Sequence, residues 1–124
     1  MTEKLVRSKD RVKELGEVFT PAALVSAMLD KMPADNWLPD KTWLEPSCGT
    51  GNFLVQILER KLAAGHPPLQ ALATLYGIDI MEDNVVESRR RLKEIVSIDG
   101  ADAILLRNIR QADALTTPLE KIFK

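Results

Sequence analysis

Apolar positions recur along this chain at two different spacings, and the switch from one to the other marks out its elements. Leu24, Val25, Met28, Leu29 and Met32 fall at helical intervals, which predicts a helix with one apolar stripe. Thr20 ahead of it is suited to cap the helix, Pro21 suits its first position, and Pro33 ends it. A second helical pattern opens at about Asn52, buries Phe53, Leu54, Ile57, Leu58 and Leu62, and closes at Gly65 and Pro67-Pro68. A short helical stretch follows near residues 69–73. A further helix starts at about Glu82, with Val85, Leu92, Ile95 and Val96 facing inward. Between these lie short apolar runs that predict three buried strands: residues 42–44, 75–80 and 104–109. Residues 3–15 read as a polar helix with Leu5, Val12 and Leu15 as its apolar contacts, stopped by Gly16. Residues 34–41 read as a connector, and residues 116–124 show no clear element. Strand and helix in alternation imply parallel strands and right-handed crossovers, hence an α/β layered fold. In such sheets ligands sit beyond the carboxyl ends of the strands, which is where this sequence places its glycines and carboxylates.

Composition narrows the picture further. At 124 residues the chain is one small domain or part of a larger one, divided here into an N-terminal helix, 1–15, and a partial domain, 16–124. Its 17 basic and 18 acidic side chains nearly cancel, so bulk charge predicts neither a nucleic-acid coat nor a membrane surface. No apolar run approaches the roughly 20 residues that span a bilayer. The charged N-terminus lacks the apolar core of a signal peptide. Cys48 is the single cysteine, which excludes internal disulfides and leads us to expect a cytoplasmic location.

The turn after the first strand, from Glu45 to Phe53, carries the chemistry. Gly49 and Gly51 let the backbone bend sharply and approach a ligand closely, and the next helix presents unpaired N–H groups. A phosphate-cradling loop would end in Gly-Lys-Ser/Thr, but Asn52 follows Gly51. A dinucleotide turn needs a third glycine where Leu54 stands. Glu45 would also repel a pyrophosphate, whereas it suits S-adenosylmethionine, which bears an ammonium and a sulfonium and no phosphate. The alternative is a tight strand-to-helix turn with no ligand. Asp79, at the end of the second strand, is placed either to accept ribose hydroxyls or to cap the next helix. Asp113 is placed either to accept from an adenine amino group or to sit solvated in a loop. His66 reads as a loop residue, Cys48 as a small turn residue, and Trp37 and Trp43 as packing residues. Arg89-Arg90-Arg91 reads as a solvated helix face, with DNA phosphate contact as the alternative.

Gly16-Glu17-Val18-Phe19-Thr20-Pro21 resembles the opening cofactor motif of N6-adenine DNA methyltransferases whose motifs run X, I, II, III, IV. Leu44 to Phe53, reading LEPSCGTGNF, resembles their motif I. Tyr76-Gly77-Ile78-Asp79-Ile80 resembles motif II and Asp113-Ala114-Leu115 motif III, weak alone but in the right order across residues 16–115. The resemblance implies a truncated Rossmann-like methyltransferase sheet of about three parallel strands with flanking helices. It implies S-adenosylmethionine as cofactor, with Thr20 and Pro21 on its methionine part and Glu45, Gly49 and Gly51 lining its amino-acid pocket. Asp79 would hold the ribose and Asp113 the adenine. Phe19, Pro46, Asn52, Phe53, Ile80 and Ala114, in the same motifs, complete the cofactor-binding set.

One departure stands out. The family holds its target adenine with an Asn/Asp-Pro-Pro-aromatic motif after the fourth strand, and none occurs in residues 1–124. His66-Pro67-Pro68-Leu69 lacks the aromatic ring, follows a helix and precedes motif II, so it reads as a helix stop. No catalytic residue and no metal ligand is therefore assigned. The expectation is a cofactor-binding portion of a DNA adenine-N6 methyltransferase of a restriction–modification system, inactive alone. It would meet DNA through other segments or chains, as a homodimer or with a second chain completing its sheet. The alternative is a non-catalytic cofactor-binding or interaction module that regulates such a system.

Overall fold

The computed structural model describes residues 20–124, so the predicted N-terminal helix, Gly16 and Phe19 lie outside the described residues. Three strands, β1 (Trp43–Glu45), β2 (Leu75–Asp79) and β3 (Ile109–Gln111), form one parallel sheet in the order β1-β2-β3. Glu45 pairs with Gly77, which pairs with Ile109, and Asp79 pairs with Gln111. Among the described residues β1 has a strand neighbour on one side only.

Helix α1 (Ala22–Asp30) precedes the sheet, after which a 3-10 turn (Ala34–Trp37) leads to β1. Helices α2 (Asn52–Ala63) and α3 (Pro68–Ala73) join β1 to β2, while α4 (Glu82–Ile95) and α5 (Ala101–Asn108) join β2 to β3. These four crossover helices contact one another and β2, so they form one layer. Leu54, Leu58, Leu72, Leu75, Leu92 and Ile109 are its fully buried core. Gly77 sits where α2 comes closest to the sheet: a Cβ there would lie 2.8 Å from Leu54 Cδ1. Tyr76 points to the opposite face, where Phe123, just past a short helix α6 (Leu119–Ile122), meets it edge-on at 5.2 Å.

Four expectations are corrected. Residues 104–108 are helical, not extended, and β3 starts only at Ile109. Ala101, Leu105 and Asn108 are buried at helical spacing, and Asn108 Nδ2 donates to the carbonyls of Leu72, Ala73 and Leu75, which fixes α5 beside α3 and β2. In α1 only Val25 and Leu29 are buried, while Leu24, Met28 and Met32 are exposed, so the stripe is narrower than its apolar residues suggest. Thr20 does not cap α1; Pro21 occupies the cap position and its carbonyl accepts from Val25 N–H at 3.0 Å. The tail, expected to lack an element, forms α6 and buries Ile122. His66 is also more than a loop residue: it is buried, and a ring nitrogen lies 2.9 Å from the Trp37 carbonyl. Trp37 and Trp43 do pack together, with ring centroids 4.5 Å apart.

Candidate functional site

The strand ends and the turn from β1 into α2 form the site. Cys48 N–H donates to Ile78 O at 2.8 Å and Gly51 N–H to Cys48 O at 2.9 Å, folding residues 46–51 back over β2. Gly49 and Gly51 have φ of 55° and 95°, the left-handed region that favours glycine. Gly51 also faces Ser88, whose Oγ would stand 3.1 Å from a Cβ.

Asp79, 7% exposed, ties the turn to the sheet and to α4. Its Oδ2 accepts from Gly49 N–H at 2.9 Å. Its Oδ1 accepts from Met81 N–H at 2.9 Å and from Asn84 Nδ2 at 3.1 Å, which fixes the turn leading into α4 and ties it to the helix's first turn. Asp79 thus braces the entry to α4 without capping that helix's first N–H groups, and it also bonds the glycine turn. A carboxylate has about four acceptor sites, and these bonds leave one on Oδ2.

Helix α4 braces the turn further. Ser88 Oγ donates to Gly49 O at 2.8 Å. Arg91 Nη1 donates to Thr50 O at 2.9 Å and to Asn52 Oδ1 at 2.8 Å. Asn52 Nδ2 in turn donates to Thr20 O at 2.7 Å. The arginine run is therefore not a uniformly solvated face. Arg89 donates to Ile109 O and Arg91 holds the turn, while Arg90 alone stays with exposed partners, Glu87 and Glu94.

Two cavities open at these strand ends. The smaller, about 240 Å³, lies among Thr20, Glu45, Gly49, Asn52 and Phe53, with Ser47, Cys48 and Thr50 completing it. The larger, about 440 Å³, lies among Pro46, Ile80, Ala112, Asp113, Ala114 and Leu115, and shares Ser47 with the first. Among the described residues that line them, each cavity holds one carboxylate, Glu45 or Asp113, and neither holds a lysine or arginine. Burial pushes the Glu45 carboxyl above its ordinary value, partly offset by the Ser47 N–H that it accepts at 3.1 Å. Asp113 Oδ1 accepts from Leu115 N–H at 2.9 Å. Burial, with a smaller push from the charges of Asp79 and Glu45, raises the Cys48 thiol to about 12 against a Ser88 hydrogen bond that lowers it. It stays protonated and is no nucleophile.

The predicted positions fall around these cavities. Thr20, Glu45, Gly49, Asn52 and Phe53 line the smaller, and Pro46, Ile80, Asp113 and Ala114 the larger. Asp79 is bonded to Gly49 of the first and adjoins Ile80 of the second in the chain. Pro21 and Gly51 line neither and serve as the caps of α1 and α2. Sequence reasoning missed Asn84, Ser88 and Arg91. The one signal in the sequence was their spacing: three polar residues at i, i+4 and i+7 that share one side of a helix.

The profile of a family described as N-6 DNA Methylase matches residues 3–122 of the chain. The chain is also 35% identical over 83 residues to the type II methyltransferase M.VspI of Vibrio sp. (strain 343). That stretch is 67% of this chain but only 18% of the relative's length.

Proposed function

The chain belongs to the N-6 DNA methylase family, and on that premise we propose that it is the S-adenosylmethionine-binding portion of a DNA adenine-N6 methyltransferase. The observation that carries this reading is the charge of the two cavities. Each presents a carboxylate and, among its described lining residues, no lysine or arginine. A phosphate-bearing nucleotide meets repulsion there, while a ligand with an ammonium and a sulfonium meets attraction. When bound, the cofactor supplies the methyl group through its sulfonium.

In this reading the smaller cavity takes the amino-acid end. Glu45 accepts from the ammonium, Gly49 allows close approach of the backbone while Gly51 supplies the bend behind it, and Thr20, Asn52 and Phe53 form the walls. Pro21 follows Thr20 in the chain, and Phe19, outside the described residues, stays in the cofactor set through the motif resemblance alone. Asp79 offers its remaining Oδ2 acceptor to the ribose. The base enters the larger cavity between Pro46, Ile80 and Ala114, and Asp113 accepts from its amino group.

Residues 1–124 contain no Asn/Asp-Pro-Pro-aromatic sequence, so the group that holds the target adenine comes from elsewhere. We assign it to further segments or a second chain, which would also contact DNA. The side of β1 with no strand neighbour among the described residues is where another strand, from a partner or a second copy, would pair. A cofactor-binding module that regulates a restriction–modification system without transfer is the second reading, favoured by the same missing sequence.

Calorimetric titration with S-adenosylmethionine and S-adenosylhomocysteine tests the first step. Binding of either supports it, and no binding at millimolar ligand with the fold intact overturns it. Methyl transfer to DNA by the pure chain would overturn the assignment of catalysis to other residues.

A further inference from the structure

Arg91 lies outside all four cofactor motifs, yet it holds both the glycine turn and, through Asn52, a wall of the smaller cavity. Its Nη1 donates to Thr50 O and Asn52 Oδ1, and Asn52 passes the restraint on through Nδ2 to Thr20 O. Three segments remote in sequence thus meet in one chain of hydrogen bonds. Thr50, Asn52 and Thr20 all line the smaller cavity, and none of them lines the larger.

Other contacts dock α1 independently of this chain. Gln56 Nε2 donates to Ala22 O at 2.8 Å, and Arg60 Nη2 reaches Ser26 O at 3.0 Å and Asp30 Oδ1 at 2.8 Å. Losing the Arg91 link therefore leaves α1 on α2 and loosens only the restraint on Thr20, which forms the cavity wall. Arg91 is half-buried with a long aliphatic stem, so its guanidinium can be removed while most of its packing is kept.

We propose that Arg91 is a positioning residue that sets the smaller cavity through Asn52 and Thr20 and so governs recognition of the cofactor's amino-acid end. The inference rests on the S-adenosylmethionine reading. A residue that merely stabilised the domain would weaken every ligand alike. A residue that shapes one cavity weakens only ligands that fill it.

The test compares S-adenosylhomocysteine, which has both ends, with methylthioadenosine, which lacks the amino-acid portion. Arg91→Met should weaken the first by about tenfold or more and leave the second within about twofold. Arg91→Lys, which keeps the charge and can reach one of the two acceptors, should recover part of the loss. Asn52→Leu removes both the acceptor for Arg91 and the donor to Thr20 without adding charge, and should show the same selectivity even if Arg91→Met does not fold. Equal losses for both ligands, or no loss for S-adenosylhomocysteine in the folded variants, overturn the proposal. Wild-type chain that binds neither ligand overturns the cofactor reading itself, and this inference with it. Where wild type binds both, failure of the selectivity counts against Arg91 alone.

Discussion

Exchanging the Asp79 carboxylate for an amide tests the junction of turn, sheet and helix with almost no change of shape. Three donors converge on that carboxylate: Gly49 N–H, Met81 N–H and Asn84 Nδ2. In Asp79→Asn one oxygen remains. If it stays with Met81 and Asn84, the new NH2 faces Gly49 N–H, and one bond to a charged acceptor is lost. In the flipped orientation two are lost, so the first is preferred. A hydrogen bond to a charged group contributes about 1.5–3 kcal/mol, and that is the expected loss of stability. For a domain near 100 residues each kcal/mol lowers the melting midpoint by roughly 4–8 °C, readily resolved by calorimetry without ligand. Asp79→Ala removes every acceptor, and on the ribose assignment it should also weaken S-adenosylhomocysteine by about 10- to 150-fold. Asp79→Asn should weaken it less, since the NH2 in the Oδ2 place can still donate to a ribose hydroxyl oxygen. An Asn variant that melts with wild type would refute the argument that this carboxylate holds the turn. An Ala variant that folds and binds with undiminished affinity would remove Asp79 from the cofactor.

Three further outcomes follow from particular atoms. Gly77→Ala drives a Cβ to 2.8 Å from Leu54 Cδ1 and 3.3 Å from Cys48 Cβ, both buried, and should cost about 1–3 kcal/mol in chemical denaturation; an unchanged midpoint would mean that α2 yields freely. Cys48, 6% exposed with its thiol raised from 9.0 to about 12, should resist iodoacetamide at neutral pH until the chain unfolds, its thiolate being about a thousandfold scarcer than at the ordinary value; prompt alkylation of the folded chain would contradict its burial. Burial raises Glu45, so the free folded chain holds that proton more tightly than the unfolded chain does, and this group's contribution to stability falls as pH rises from 4.5 through the raised value. Cation binding needs the carboxylate, so affinity for S-adenosylhomocysteine should rise across the same window, and Glu45→Gln should flatten that rise; a pH-independent wild type would separate Glu45 from the ammonium.

The strand and helix order was legible because each element carries its own spacing and its own stops. Two misreadings have one cause, which is that burial is decided by neighbours. Ile104, Leu105 and Ile109 read as a strand, but Ala101, Leu105 and Asn108 turn toward α3 and β2 and make a helix of most of that run. Leu24, Met28 and Met32 read as core, but α2 meets α1 at Val25 and Leu29 instead. Glu45, Gly49, Asp79 and Asp113 could be named from their chemistry because each is a glycine or a carboxylate at or just past a strand end, whereas Pro46, Asn52, Phe53, Ile80 and Ala114 were named only through the motif resemblance. The bracing residues are harder, because their spacing marks a polar helix side without saying what it meets. Arg91 lies 39 residues from Asn52 and 41 from Thr50, and Ser88 lies 39 from Gly49, so no local pattern joins them to the turn.

The placement of those braces accounts for an otherwise unfavourable choice in α4. Val85 and Leu92 give that helix its apolar anchor, yet the neighbouring buried positions are Asn84 and Ser88, where larger apolar side chains would bury more area. Each polar group there has a specific partner: Asn84 on Asp79, Ser88 on the Gly49 carbonyl. Replacing either with an apolar residue would leave a buried acceptor at the glycine turn with one donor fewer. The domain thus gives up some hydrophobic stability on one side of α4 to fix the backbone of residues 49–52 before any ligand arrives. Walls held in advance spare a ligand the ordering of a mobile loop, which otherwise subtracts directly from affinity.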